Sequence, residues 1–235
     1  MKNLMKLITE RTSVQDKNKS LEDVAYVVID TELTGLNEKK DSIVSIGAVR
    51  MIGGKIELGN SFYRLVNPKT ALTAKSVLIH EITPSDVMQK PDIDSVLSEF
   101  LDFCGEDVLV GYCVSIDMEF LNRESRRISS HEIRNPVVDI QAIYEWALRK
   151  KALRDMGDMT MPQQYKLYDV AKHFNISVSG AHNAIIDAFI TAQIFQRFIP
   201  VLSESGIKNI GELLRLSEKY KGGDRNNITL GMSNF

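Results

Sequence analysis

Between residues 25 and 65 the chain sets out three extended segments in succession. "AYVVIDTE" carries four consecutive apolar residues, Tyr26 to Ile29, as a strand covered on both faces would. "SIVSIGAVRM" follows, and "IELGNSFYRLV" comes after the turn signal "IGGK" with Gly53 and Gly54. The second and third segments lie too close together for a helical crossover, so they predict an antiparallel hairpin.

Helices and strands then alternate. "ITPSD" predicts a helix start, with Thr83 as cap and Pro84 in the first turn. Pro91 opens another helix, in which Ile93, Val96, Leu97, Phe100 and Leu101 share one 3.6-period face. "DVLVGY" reads as a strand, "SIDMEFLNRESRR" as a helix, and "PVVDI" as a short buried strand leading into the helix "QAIYEWALRKK". The helices "KLYDVAKHF", "NAIIDAFITAQIFQRFI" and "NIGELLRLSEKY" complete the pattern. Three strands followed by helix–strand alternation predict an α/β domain with a mixed sheet. The expected layout is an N-terminal extension over 1–22, the domain over 23–200 and a C-terminal helical tail over 201–235.

Composition changes this picture little. The 235 residues carry 29 Lys and Arg against 31 Asp and Glu, a net charge of −2, which excludes coating of nucleic acid by bulk positive charge. Cys104 and Cys113 have no metal-type spacing and are expected outside any disulfide, as in a reducing compartment. The opening residues lack the pattern of a signal peptide, and no segment is expected to cross a bilayer, so the expected location is cytoplasmic.

The chemistry begins where the first strand ends. Side chains alternate along a strand, so Asp30 and Glu32 point to the same side. Two carboxylates that close repel unless one is protonated or a cation lies between them. A structural pair would have a Lys or Arg beside it, yet the neighbours are Thr31, Leu33, Thr34 and Gly35. Asp187 is the one charged residue from Asn183 to Gln196, on a helix apolar on nearly every face. A carboxylate is rarely buried without a partner, which is either a backbone amide or Arg, or a shared cation. Asp117 lies in the first turn of its helix, an ordinary place for an Asp on helix-dipole grounds. His182 can meet Asp187 only if it precedes the helix, with Asn183 as the cap.

"DTELTGL", "LVGYCVSIDMEFL" and "AHNAIIDA" together resemble the three motifs of the DnaQ-like DEDDh family of 3′–5′ exonucleases, and "IHEIT" before Pro91 belongs to the same stretch of similarity. The family pattern is D-x-E-T-T-G, then H-N-x-x-F-D-x-x-F-L, then H-x-A-x-x-D. The resemblance implies a ribonuclease H-like fold, with a mixed five-stranded sheet flanked by helices and residues 23–200 as the exonuclease domain. It implies two divalent cations, Mg²⁺ or Mn²⁺, held by Asp30, Glu32, Asp117 and Asp187, and His182 as general base. Leu33, Thr34, Leu36, His80 and Ile116 are then the expected substrate contacts. Leu33 stands where the family has Thr, Tyr112-Cys113 where it has His-Asn, and Ile116 where it has Phe. These departures touch the grip on the last nucleotide, not the carboxylates.

The implied substrate is the 3′ end of single-stranded DNA, or of RNA as the alternative, with a polymerase or repair partner and no membrane. The rival from another class is a non-catalytic module that binds nucleic acid or protein on the same fold. Two further matches carry less. "YKLYD", through Tyr165 and Asp169, imitates the sister group that uses Tyr in place of His, but the complete "AHNAIIDA" follows it. "QYKLY" from Gln164 imitates a sliding-clamp peptide, but its Leu167 is needed for the core face of a helix.

Overall fold

The computed structural model describes residues 16–153 and 166–220, so Gln164 and Tyr165 lie outside the described residues. The order is β1 (Ala25–Leu33), β2 (Ile43–Ile52), β3 (Lys55–Leu65), α1 (Ala74–His80), α2 (Pro84–Val87), α3 (Ile93–Cys104), β4 (Val108–Gly111), α4 (Ser115–Ser129), β5 (Val137–Asp139), α5 (Ile140–Arg149), α6 (Leu167–His173), α7 (Ala184–Glu204) and α8 (Ile210–Tyr220). The strands form one sheet in the order β3-β2-β1-β4-β5, antiparallel from β1 through β3 and parallel from β1 through β5. This is the mixed five-stranded sheet, and the predicted hairpin joins β2 to β3 at Gly53 and Gly54.

The alternation of β1 divides the core. Tyr26 and Val28 point into one layer with Ile190, Ile194, Phe195 and Phe198 of α7. Val27 and Ile29 point into the opposite layer with Val96, Leu97 and Phe100 of α3 and Phe120 and Leu121 of α4. By the same parity Asp30 and Glu32 face the α7 side, and Thr31 faces the α4 side.

Three elements differ from the sequence reading. Helix α1 is new: it buries only Ser76 and His80 and leaves Leu78 83% exposed, so there is no apolar face for periodicity to detect. It is held instead by its ends, with Thr73 accepting from the Ser76 amide and Glu81 closing it at φ 58°. The cap of α3 is Asp92, one residue after Pro91. Helix α7 continues through Pro200 to Glu204, so the division at 200 falls inside a helix.

Helix α7 also meets the length and composition of a membrane-crossing helix, against the expectation that no segment does. Its apolar side chains are nonetheless spent on the sheet and on Tyr144 and Phe174. Helix α8 packs its Ile210, Leu213 and Leu216 into the same core layer, and the Ser217 hydroxyl accepts from the Asp139 amide at 2.8 Å. Residues 16–22 are tied to this end of the chain through the Ser20–Asn209 bridge and the bond from the Leu21 amide to the Lys208 carbonyl. Cys104 is buried, Cys113 is half-buried, and neither is in a disulfide.

Candidate active site

Three of the sequence-predicted carboxylates converge at the end of β1. One oxygen from each of Asp30, Glu32 and Asp187 lies within 4.8 Å of the other two. Asp30 and Glu32 come from the strand, and Asp187 comes from the first turn of α7, whose cap Asn183 accepts from the Ile185 amide. Among the described residues no Lys or Arg pairs with any of the three. Burial, then Asp117, then Glu32 and Asp187 push the Asp30 carboxyl well above the usual range. Burial, then the charges of Asp187 and Asp117, push Glu32 up to about 8. Burial also raises Asp187. One of its oxygens, Oδ1, is buried with no hydrogen-bond partner among the described residues.

Asp117 lies outside that cluster, on the opposite side of the strand, although its charge is the largest of those that raise Asp30. Its Oδ1 accepts from the Thr31 hydroxyl at 2.6 Å, across β1 from Asp30 and Glu32. Burial pushes its carboxyl up to about 7, and the bond from Thr31 opposes that rise. Thr31 is thus a site residue that sequence reasoning missed, although strand alternation already placed it toward the helix that carries Asp117.

Helix α7 can approach so closely because of Gly47. In register Gly47 lies opposite Asp30. A Cβ there would stand 2.2–2.3 Å from the Ala184 carbonyl group and the Ile185 amide nitrogen. Those atoms are backbone, so the collision can be relieved only by moving the N-terminus of α7. Gly47→Ala should therefore lift Asp187 and His182 away from β1. A displacement of about 1 Å costs on the order of 10²-fold in rate. The check is a fall in Mn²⁺ affinity and turnover in a variant that still shows a cooperative melt.

His182 precedes α7, as the spacing required, at φ 64°. Its amide donates to the Tyr168 hydroxyl at 2.7 Å and to Asp187 Oδ2 at 3.1 Å, while the Tyr168 hydroxyl donates to Asp187 Oδ2 at 2.6 Å. The rings of Tyr168 and His182 meet edge to face, 5.0 Å apart. Burial and the Asp187 charge keep the Tyr168 hydroxyl protonated. Tyr168 was not among the sequence candidates, which had singled out its neighbours Tyr165 and Asp169.

The expected substrate contacts are spread around this cluster. Leu33 and Ile116 are partly buried against the layer under α3 and α4. Thr34 is 2% exposed, and its hydroxyl donates to Asp41 and accepts from the Ser42 amide, so it shapes the loop after β1. Leu36, on that loop, is 49% exposed. Arg123 clamps the same loop by donating to the carbonyls of Glu38 and Asp41. The other two arginines of "RESRR" stay on the surface in ion pairs, Arg127 with Glu124 and Asp94 and Arg126 with Glu132. His80 is 5% exposed, and its Nδ1 accepts from the Ile82 amide, which leaves the proton on Nε2. That nitrogen is buried without a partner among the described residues, and burial lowers the imidazole's affinity for a second proton.

The chain is 31% identical to the DNA polymerase III subunit epsilon of Aquifex aeolicus over 204 residues, 86% of this chain and 93% of that protein. It is 29% identical to the PolC-type DNA polymerase III of Thermotoga maritima over 196 residues, which span 83% of this chain but only 13% of that polymerase. Among solved structures, exonuclease X in complex with 5′-overhanging duplex DNA superposes with a TM-score of 0.59 at 25% identity, covering 82% of this chain and 99% of that one. A family model described as Exonuclease matches residues 27–195, a span that contains every carboxylate of the cluster, His182 and Gly47. The chain belongs to this exonuclease family.

Proposed function

We propose that this chain is a metal-dependent 3′–5′ exonuclease that removes nucleoside 5′-monophosphates from the 3′ end of single-stranded DNA. The observation that carries the reading is the convergence of Asp30, Glu32 and Asp187 within 4.8 Å, with no cation from the protein paired to them among the described residues. The buried Oδ1 of Asp187, without a partner among the described residues, is the kind of atom a cation satisfies, and an all-carboxylate donor set suits Mg²⁺ or Mn²⁺. Asp30, Glu32, Asp117 and Asp187 would hold two such ions.

Bound divalent cations would lower the pKa of the attacking water and neutralise charge on the scissile phosphate and the departing 3′ oxygen. The chain's own residues supply the rest. His182 takes the proton as the water oxygen bonds to phosphorus, and the bond from phosphorus to the 3′ oxygen of the preceding nucleotide breaks. That oxygen gains a proton, leaving a strand shorter by one nucleotide with a 3′ hydroxyl. Leu36, the shaped loop behind it and His80 Nε2–H are the groups that would seat the terminal nucleotide.

DNA is preferred over RNA here, and a replicative or repair polymerase is the proposed partner, because the Aquifex relative is named as a polymerase subunit. A cytoplasmic setting goes with that reading. A non-catalytic binding module has less support, since such a module has no use for a cluster of unpaired acidic groups.

End-labelled linear DNA and RNA, and closed circular single-stranded DNA, incubated with Mg²⁺ or Mn²⁺, test the proposal. Linear DNA should be shortened one nucleotide at a time from its 3′ end, and the circle should survive. The arginines of "RESRR" already have acceptors within the protein, so few phosphates exchange counterions with them. The slope of log affinity against log salt should then be on the order of −1 to −3. Cleavage of the circle would show an endonuclease and refute the proposal.

A further inference from the structure

The Tyr168 hydroxyl sits at a junction where its hydrogen-bond directions are forced. It has one proton to give and lone pairs to receive. The His182 amide can only donate, so the 2.7 Å contact makes the hydroxyl an acceptor there. Its single proton goes to Asp187 Oδ2, and the 2.6 Å distance is that of a charge-assisted O–H···O⁻ bond. Oδ2 therefore receives two donors, the Tyr168 hydroxyl and the His182 amide, while Oδ1 of the same carboxylate receives none among the described residues.

The hydroxyl has a second consequence at His182. A residue other than glycine at φ 64° is strained and persists only where its surroundings hold it. The captured amide and the edge-to-face ring contact are what hold it here.

We propose that Tyr168 is a positioning residue for the metal centre and the general base: its hydroxyl fixes Asp187 through Oδ2 so that Oδ1 faces the cation, and it anchors the His182 backbone so that the imidazole stands over the site. This rests on the metal-dependent reading above. It is a feature of this chain's own arrangement, because Tyr168 comes from α6, fourteen residues before His182, and lies outside the three motifs.

Tyr168→Phe keeps the ring against His182 and removes only the hydroxyl. Mn²⁺ binding without substrate, read by titration calorimetry, should weaken about 10–100-fold, the range typical for losing a group that orients a metal ligand. The turnover number should fall with it, and excess Mn²⁺ should restore only part of the rate because His182 is also released. Tyr26→Phe is the control, since it removes another buried hydroxyl, which donates to the Leu21 carbonyl in the core. It should lower the melting temperature comparably and leave Mn²⁺ affinity unchanged. Equal Mn²⁺ affinity and turnover in Tyr168→Phe and wild type would overturn the inference, as would an equal loss of affinity in Tyr26→Phe. A wild-type protein that binds no Mn²⁺ would instead overturn the metal-dependent reading, which keeps the two failures distinct.

Discussion

Asp187→Asn is expected to lose turnover by about 10³–10⁵-fold while making the metal-free protein more stable. The activity loss follows from removing one of three converging carboxylates, because cation assistance is worth several kcal/mol and each ~1.4 kcal/mol is tenfold in rate. The gain in stability follows from repulsion. Asp187 is the largest charge raising Glu32 and also contributes to raising Asp30. A carboxyl raised in the folded state binds protons there that it does not bind in the unfolded chain. Between the ordinary carboxylate range and about 8, where Glu32 titrates, the folded protein therefore holds the extra protons. Its stability falls as pH rises through that window.

Asparagine keeps the shape of the side chain and an oxygen for the Tyr168 hydroxyl, but it removes the charge. The variant should melt with the wild type near pH 4 and above it at pH 8. Each unit by which the pKa of a remaining carboxyl falls is worth about 1.4 kcal/mol, or roughly 3–6 °C in a domain of this size. Mn²⁺ should reverse the order, since at about 100 times the Kd it stabilises the wild type by about 2.7 kcal/mol and the variant has lost the site. Thermal melts at pH 4, 6 and 8, with and without Mn²⁺, check all three statements. A variant that still cuts, beside a wild-type melt indifferent to the metal, would remove Asp187 from the site.

What the sequence disclosed was whatever a local rule could carry. Strand parity placed Asp30 and Glu32 on one side, and an Asp alone on an apolar helix announced Asp187. The requirement that His182 precede the helix was met by the Asn183 cap. What it concealed depends on how elements cross. Gly47 reads as one more residue of an apolar strand until α7 is laid over it. Tyr168 acquires its role only when α6 docks beside the start of α7. Arg123, read from its run as part of a solvated face, instead holds two carbonyls of the loop after β1, because a turn carries those carbonyls back to α4. Helix α1 escaped for the opposite reason: it is stabilised by its caps, and hydrophobic periodicity says nothing about an element with no apolar face.

His182→Ala should separate chemistry from metal binding. His182 is not one of the three converging carboxylates, and Asp187 stays in place through its own helix and the Tyr168 hydroxyl. Mn²⁺ affinity should therefore stay within a few-fold of wild type while turnover falls by about 10²–10⁴, the usual cost of losing a general base. Alanine tolerates φ 64° less well than histidine does, so part of the loss could come from a shifted backbone. His182→Asn separates the two causes, because asparagine accepts that conformation readily and still supplies no base. Both variants should be equally impaired, and added imidazole should recover activity in the alanine variant, where it can occupy the vacated space. If His182→Asn cut at the wild-type rate, the proton would leave the attacking water by another route, and His182 would be left as a hinge between Gly180 and the cap of α7.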